Sequence, residues 1–218
     1  MKHFFIAVIC AAAAVLSISG CAVNVDYTRY ITESRSEIYI YSDDDTNIKI
    51  YCVSREQPYC ADGICGNLCN LREIFITFTK TPESVEIIID GFTAEMNYEA
   101  VEKQFTLNYS AAALNADGVD ISLICDGIQK NYRVLNVKDN GVISCEQAVK
   151  CAAEYDAELF KNLTTRRDFK GEIYVRLLYD EGCYYYVGVC DRDKNITAYL
   201  LDGGIGKVIT SKKITTQN

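Results

Sequence analysis

Tryptophan is absent from this chain, proline occurs twice, and the one histidine is His3. The histidine deficit has the largest chemical consequence, because His3 falls in a leader segment. The remaining chain has no imidazole to act as a general base or a zinc ligand, which removes the commonest routes to acid–base and zinc chemistry. Positive charge is also in deficit. Lys and Arg number 22 against 30 Asp and Glu, a net charge of −8 over 218 residues. No basic stripe offsets this, so nucleic acid is disfavoured as a partner. No Ser–His–Asp or Cys–His set and no phosphate-cradling glycine loop is present. The sequence therefore names no catalytic, cofactor-binding or metal-binding residue. What is there, 49% hydrophobic residues with 13 Gly, is the composition of a folded globular protein.

The N-terminus has its own grammar. Lys2 and His3 form a short basic region, and an uncharged apolar run follows from Phe4 to Leu16. That run is shorter than the roughly 20 residues that span a ~30 Å hydrocarbon core, and it fits the apolar region of a secretory signal. It closes with Ile18-Ser19-Gly20-Cys21. This resembles the lipobox of bacterial lipoprotein precursors: an aliphatic residue, two small residues, then cysteine. The resemblance implies a signal peptide over 1–20, a diacylglyceryl group on the Cys21 thiol and cleavage just before it. The protein would then be held on the extracytoplasmic face of the cell membrane, since each buried methylene contributes roughly 0.8 kcal/mol and two chains anchor durably. An ordinary cleaved signal and an uncleaved anchor are the alternatives. Residues 21–35 are polar and without periodicity, and read as a tether.

Two folded parts are expected. Over 36–138 the pattern has period two: Phe105, Leu107 and Tyr109 alternate with polar neighbours, as do Val85, Ile87 and Ile89, and Ile74, Ile76 and Phe78. Such alternation means strands with one buried face and one wet face. Eight are expected, over 37–41, 47–53, 72–79, 84–90, 93–98, 103–110, 119–126 and 131–137, with Asp90-Gly91 as a hairpin turn. That density suits an antiparallel β-sandwich of immunoglobulin-like architecture. Past Gly141 the period changes. Ser144 and Gln147 form a capping-box signature, and Ala148, Cys151, Ala152, Tyr155 and Leu159 share one helical face to about Asn162. Strands resume at 172–179, 183–190, 196–201 and 207–212. The chain is thus mostly β with one α+β module, a helix followed by an antiparallel meander.

Within that module, Tyr184-Tyr185-Tyr186-Val187-Gly188-Val189 and Ala198-Tyr199-Leu200-Leu201-Asp202, followed by Gly203-Gly204-Ile205-Gly206-Lys207-Val208-Ile209, carry a second resemblance. They are similar to the central strand and the terminal Asp…Gly-Lys hairpin of PepSY-type domains, over residues 142–214, about a third of the chain. Ile205 departs from the family, which often has Thr there, and the helix is short. The resemblance implies a binding or regulatory module, one found in propeptides of secreted metallopeptidases and in envelope proteins.

Eleven cysteines invite a redox or metal reading. Cys10 leaves with the leader and Cys21 takes lipid; an odd number remains, so at least one thiol lacks an intramolecular partner. Cys60, Cys65 and Cys69 cluster in one loop whose spacing matches no zinc or iron–sulfur site. One disulfide, free thiols and a metal are the readings of that loop. Cys183 and Cys190 point to opposite faces of one strand. Asp191-x-Asp193-x-Asn195, with Asp202 at the twelfth position, copies part of an EF-hand loop, but Ile196 replaces its glycine and strands flank it, so a solvated turn is expected. Asp43-Asp44-Asp45 reads the same way. Tyr184 and Tyr186 share a strand face opposite Tyr185. They are either half-buried strand aromatics or an exposed face for a peptide or glycan.

These readings converge on a lipid-anchored, non-enzymatic envelope protein that binds another envelope protein or peptide, in its sharpest form a modulator of a secreted peptidase. A cysteine-based redox or metal protein and an envelope hydrolase are the alternatives.

Overall fold

The computed structural model describes residues 25–58, 65–111, 117–166 and 168–215. The leader, Cys21 and Cys60 lie outside them. The chain enters through a short 3-10 turn, Tyr27–Tyr30, capped by the Asp26 carboxylate, which accepts from the Thr28 amide. Strands then run β1 Ile31–Ser42, β2 Thr46–Glu56, β3 Leu68–Phe78, β4 Val85–Ile89, β5 Phe92–Glu95, β6 Asn97–Glu99, β7 Gln104–Ser110, β8 Gly118–Cys125 and β9 Ile128–Asn136. Helices α1 Cys145–Tyr155 and α2 Ala157–Asn162 follow. A two-residue hairpin comes next, β10 Thr164–Thr165 with β11 Asp168–Phe169. The meander β12 Gly171–Tyr179, β13 Cys183–Asp191, β14 Ile196–Asp202 and β15 Val208–Ile214 ends the fold.

The first nine strands form one ladder in the order β5-β4-β8-β9-β1-β2-β3-β7-β6. Where a two-sheet, immunoglobulin-like arrangement is expected, the sheet runs unbroken and curls until its ends almost meet. The expected strand over 93–98 is split into β5 and β6, which are joined through Met96 alone. Its amide donates to the Val85 carbonyl at 2.8 Å and its side chain is buried. One sheet edge therefore hands the chain directly to the other. Inward side chains alternate as the sequence pattern requires: Ile48 and Ile50, Ile74 and Ile76, Ile87 and Ile89, and Leu123 fill the interior at near-zero exposure. Toward one end the charged Arg72 is buried inside the curl. It is paired with Asp90 of the β4–β5 turn and donates to the Tyr109 hydroxyl at 2.9 Å, while Phe92 stacks on Tyr109.

β1 belongs to both halves of the molecule. Its first residues pair in parallel with β12, from Ile31 opposite Ile173 to Arg35 opposite Arg176. Its later residues Tyr39 and Ile40 pair with β9 on that same edge. The register shifts between Arg35 and Glu37 against β2, and such a bulge bends a strand where its neighbours diverge. The chain leaving β9 is fastened to this fork. Asn136 Nδ2 donates to Glu37 Oε2 at 2.7 Å, and Lys138 Nζ reaches Glu37 Oε1 at 3.3 Å. The structure thus places residues 27–35 of the expected tether in the 3-10 turn and β1, and Val25 is already packed in the second core.

That second core lies between β12–β14 and the helices. Ser144 caps α1 by accepting from the Gln147 amide at 3.2 Å, as the capping box anticipates. Ala148, Val149 and Ala152 are buried against Val175, Leu177, Tyr185, Val187 and Tyr199. The helix is not continuous to Asn162. Asp156 takes a non-helical conformation, caps α2 by accepting from the Leu159 amide, and receives the Tyr199 hydroxyl at 2.9 Å. The break carries Tyr155 off the buried face, to 59% exposure.

Candidate functional site

The sheet β12–β15 has one face under α1 and one face without a helix, and the pairing register assigns every side chain to one or the other. Tyr185 opposite Leu177 and Leu201 turns to the helix and is fully buried. Tyr184 and Tyr186 turn to the opposite face and are half-buried. On that face Arg176, Tyr186, Leu200 and Thr210 form one cross-strand row, and Tyr174, Gly188, Ala198 and Lys212 the next; Tyr174 and Ala198 are buried, while Thr210 and Lys212 on β15 are exposed. Gly188 is what lets the aromatic rings lie down. A methyl group there would sit 3.0 Å from Cε1 and Oη of Tyr186 and 3.1 Å from Cδ2 of Tyr174. The Tyr186 ring covers the glycine, and its burial raises the phenol above its ordinary pKa. The Arg176 guanidinium lies 5.9 Å from the centre of that ring and 6.0 Å from that of Tyr174.

The platform is bolted to β1. Arg176 grips Glu33 through both carboxylate oxygens, Nε to Oε1 at 2.5 Å and Nη2 to Oε2 at 3.0 Å. Tyr174 donates to the buried Glu172 at 2.5 Å. Next to this, Arg35 lies 3.9 Å from the centre of the Tyr51 ring, and Arg55 pairs with Glu73 at 3.1 Å. Burial lowers the pKa of Arg35. Charged groups therefore fill the seam between the two halves where apolar periodicity is missing. Glu33 and Arg176 leave no mark on the alternating apolar pattern of the sequence for that reason.

A second concavity lies toward the other end of β1. There the ends of β3, β8 and β9 surround a cleft of about 390 Å³ with Phe78, Ile128 and Tyr132 as its apolar wall and Lys80, Lys130 and Asp126 at its rim. Its volume is that of a small-ligand pocket. Asp126 is already engaged, since its Oδ1 accepts from the amides of Glu83 and Ser84.

No family model matches this chain, and no curated protein or solved structure does either. The site must be read from its own chemistry.

The cysteine cluster does not assemble among the described residues. Cys65 is exposed and Cys69 half-buried in β3, both as free thiols, and Cys60 is outside the described residues. Burial pushes the thiols of Cys65, Cys125, Cys145, Cys183 and Cys190 upward, to about 11 for Cys65, where Glu56 adds repulsion, and to about 12 for Cys145. A reactive thiolate is favoured by the opposite shift. The aspartate motifs close on themselves. Asp191 Oδ1 accepts from the amides of Asp193 and Asn195, while Asp202 accepts from those of Gly204 and Ile205 at the far end of β14. Asp43 is occupied by the Tyr41 hydroxyl and the amides of Asp45 and Thr46. Among the described residues no three Cys, His, Asp or Glu side chains converge on a metal position.

Proposed function

We propose that this protein is a lipid-anchored, extracytoplasmic component of a bacterial cell envelope that binds another envelope protein or peptide and does not transform it. The observation that carries the reading is the sequence of the leader: basic residues, an uncharged apolar run, then Ile18-Ser19-Gly20-Cys21. The two acyl chains implied at Cys21 are the membrane attachment, and no helix of the described residues is long and apolar enough to cross a bilayer. In this reading the curled sheet of the first half serves as a scaffold and the second half as a PepSY-like binding module, with Tyr184 and Tyr186 on the face away from α1. Two details support the PepSY-like reading. Asp202 organises the β14–β15 turn by accepting successive amides, and Gly206 holds a positive φ of 70° against the helix. These are the positions at which an Asp…Gly-Lys hairpin needs those residue types.

The thiols, pushed upward by burial, weigh against the redox alternative. The test is capture of envelope partners on the full chain in detergent, together with inhibition assays on secreted metallopeptidases. Recovery of one stoichiometric partner, lost in Tyr184→Ala with Tyr186→Ala, supports the reading. Absence of both partner and inhibition overturns it.

A further inference from the structure

The 13-stranded sheet ends in three edge strands among the described residues, β5, β6 and β15, the first two joined through Met96. At one end, β5 and β6 are short, four and three residues, and carry Glu95 and Glu99. Met96 turns the chain directly from one to the other. Short edges of this kind resist further pairing. At the other end, β15 runs for seven residues, Val208-Ile209-Thr210-Ser211-Lys212-Lys213-Ile214. It pairs with β14 on one side only and is exposed along almost its whole length, with Ile209 and Ile214 about half exposed. β-Branched residues dominate it and no proline interrupts it; past a register shift at Ile209, its outer edge over Thr210–Ile214 keeps amide and carbonyl groups facing water.

Its charge is of one sign. Lys207, Lys212 and Lys213 are exposed, and none takes part in an ion pair among the described residues, although the chain as a whole is strongly acidic. Pairing β15 with a second copy of itself would crowd four lysines, Lys212 and Lys213 of each strand, onto two adjacent strands, and like charges close to one another across a ladder are destabilising. An acidic strand meets the reverse situation.

We propose that β15 is a docking edge at which an extended, acidic segment of a partner protein adds as a further strand beside β15. Main-chain hydrogen bonds would supply affinity, and the lysines would select the sign of the partner. The proposal deepens the binding reading above and rests on it for its biological setting. It names the mode and the charge of the partner.

The test uses the full chain in zwitterionic nanodiscs and amide hydrogen exchange read by mass spectrometry. The probe is an end-blocked peptide that matches β15 in length and alternates valine with glutamate; the control has lysine in place of glutamate. The glutamate peptide is expected to slow exchange across 208–214 by about tenfold or more, and the lysine peptide to have no effect. Lys212→Glu combined with Lys213→Glu lies on an exposed strand and is expected to reverse that preference. Four results overturn the proposal: protection by neither peptide, equal protection by both, protection confined to other segments, or dimerisation through β15. A fifth is protection of 208–214 by anionic phosphatidylglycerol discs without peptide, which would make the edge a lipid contact. Loss of partner capture with intact peptide binding would instead fault the envelope reading and leave the edge in place.

Discussion

The Glu33–Arg176 pair fastens the two halves of the molecule, and its removal has a calculable signature. Glu33 has 7% of its side-chain surface exposed and Arg176 has 37%. Breaking a fully buried pair costs about 3–5 kcal/mol, whereas an exposed pair contributes about 0–1 kcal/mol. The two partners should therefore respond unequally. Arg176→Met strands a carboxylate with little access to water and is expected to cost about 3 kcal/mol. Glu33→Gln leaves an arginine that can turn partly to solvent and still donate to the amide oxygen, and should cost about 1–1.5 kcal/mol. Arg176 also touches the Tyr174 and Tyr186 rings, but those contacts cancel in a double-mutant cycle. The double variant should then lie close to Arg176→Met alone, with a coupling of about 1–2 kcal/mol. In urea, with a slope of about 2 kcal/mol per molar, Arg176→Met shifts the midpoint by about 1.5 M. Costs that add independently, or an Arg176→Met midpoint within about 0.25 M of the wild type, would refute the claim that this pair fastens the seam.

Gly206→Ala should be among the most damaging small substitutions. The position has φ of 70°, and the added methyl would lie 2.6 Å from the Cys151 sulfur. A loss of about 2–3 kcal/mol is expected from backbone and overlap together. Cys151→Ala in the same chain should recover only the overlap part, as urea midpoints would read. Gly188→Ala should lift the Tyr186 ring, so that its phenol titrates nearer the ordinary value of about 10; NMR of labelled tyrosine, assigned with Tyr186→Phe, checks this, and an unchanged titration counts against the glycine's role. Burial holds the Cys145 thiol up to about 12 and also raises the phenols of Tyr185 and Tyr199. A raised acid favours the neutral folded form. That stability is complete below the free thiol range, about pH 8.5, and is lost as pH rises from there toward 12. Alkaline unfolding should begin near pH 9 and be delayed in Cys145→Ala.

The strands were legible because Ile, Val and Leu alternate with polar residues at Ile74–Phe78, Val85–Ile89 and Val119–Leu123, where one face meets an apolar interior and the other water. The capping of α1 by Ser144 was legible because a local hydrogen bond dictates it. The start of β1 was not. Glu33 and Arg35 belong to a charged seam, Glu33 held by Arg176 and Arg35 lying over the Tyr51 ring with its Nε unbonded among the described residues, and buried polar groups leave no mark on apolar periodicity. The interruption at Asp156 depends on a partner, Tyr199, 43 positions away. The curl of the sheet depends on β1 pairing with both β9 and β12, a choice made in three dimensions. The face away from the helix was visible in Tyr184 and Tyr186, but the glycine that seats the ring and the arginine beside it become meaningful only once β12 and β13 are in register.

The central claim, a lipid anchor at Cys21, is most directly tested by mass spectrometry of the N-terminal peptide of protein made in a bacterial host and extracted from its membranes. The expected species begins at Cys21 and carries a diacylglyceryl thioether on its sulfur. A chain that keeps residues 1–20, or an unmodified Cys21 thiol in protein recovered from the soluble fraction, would contradict the account.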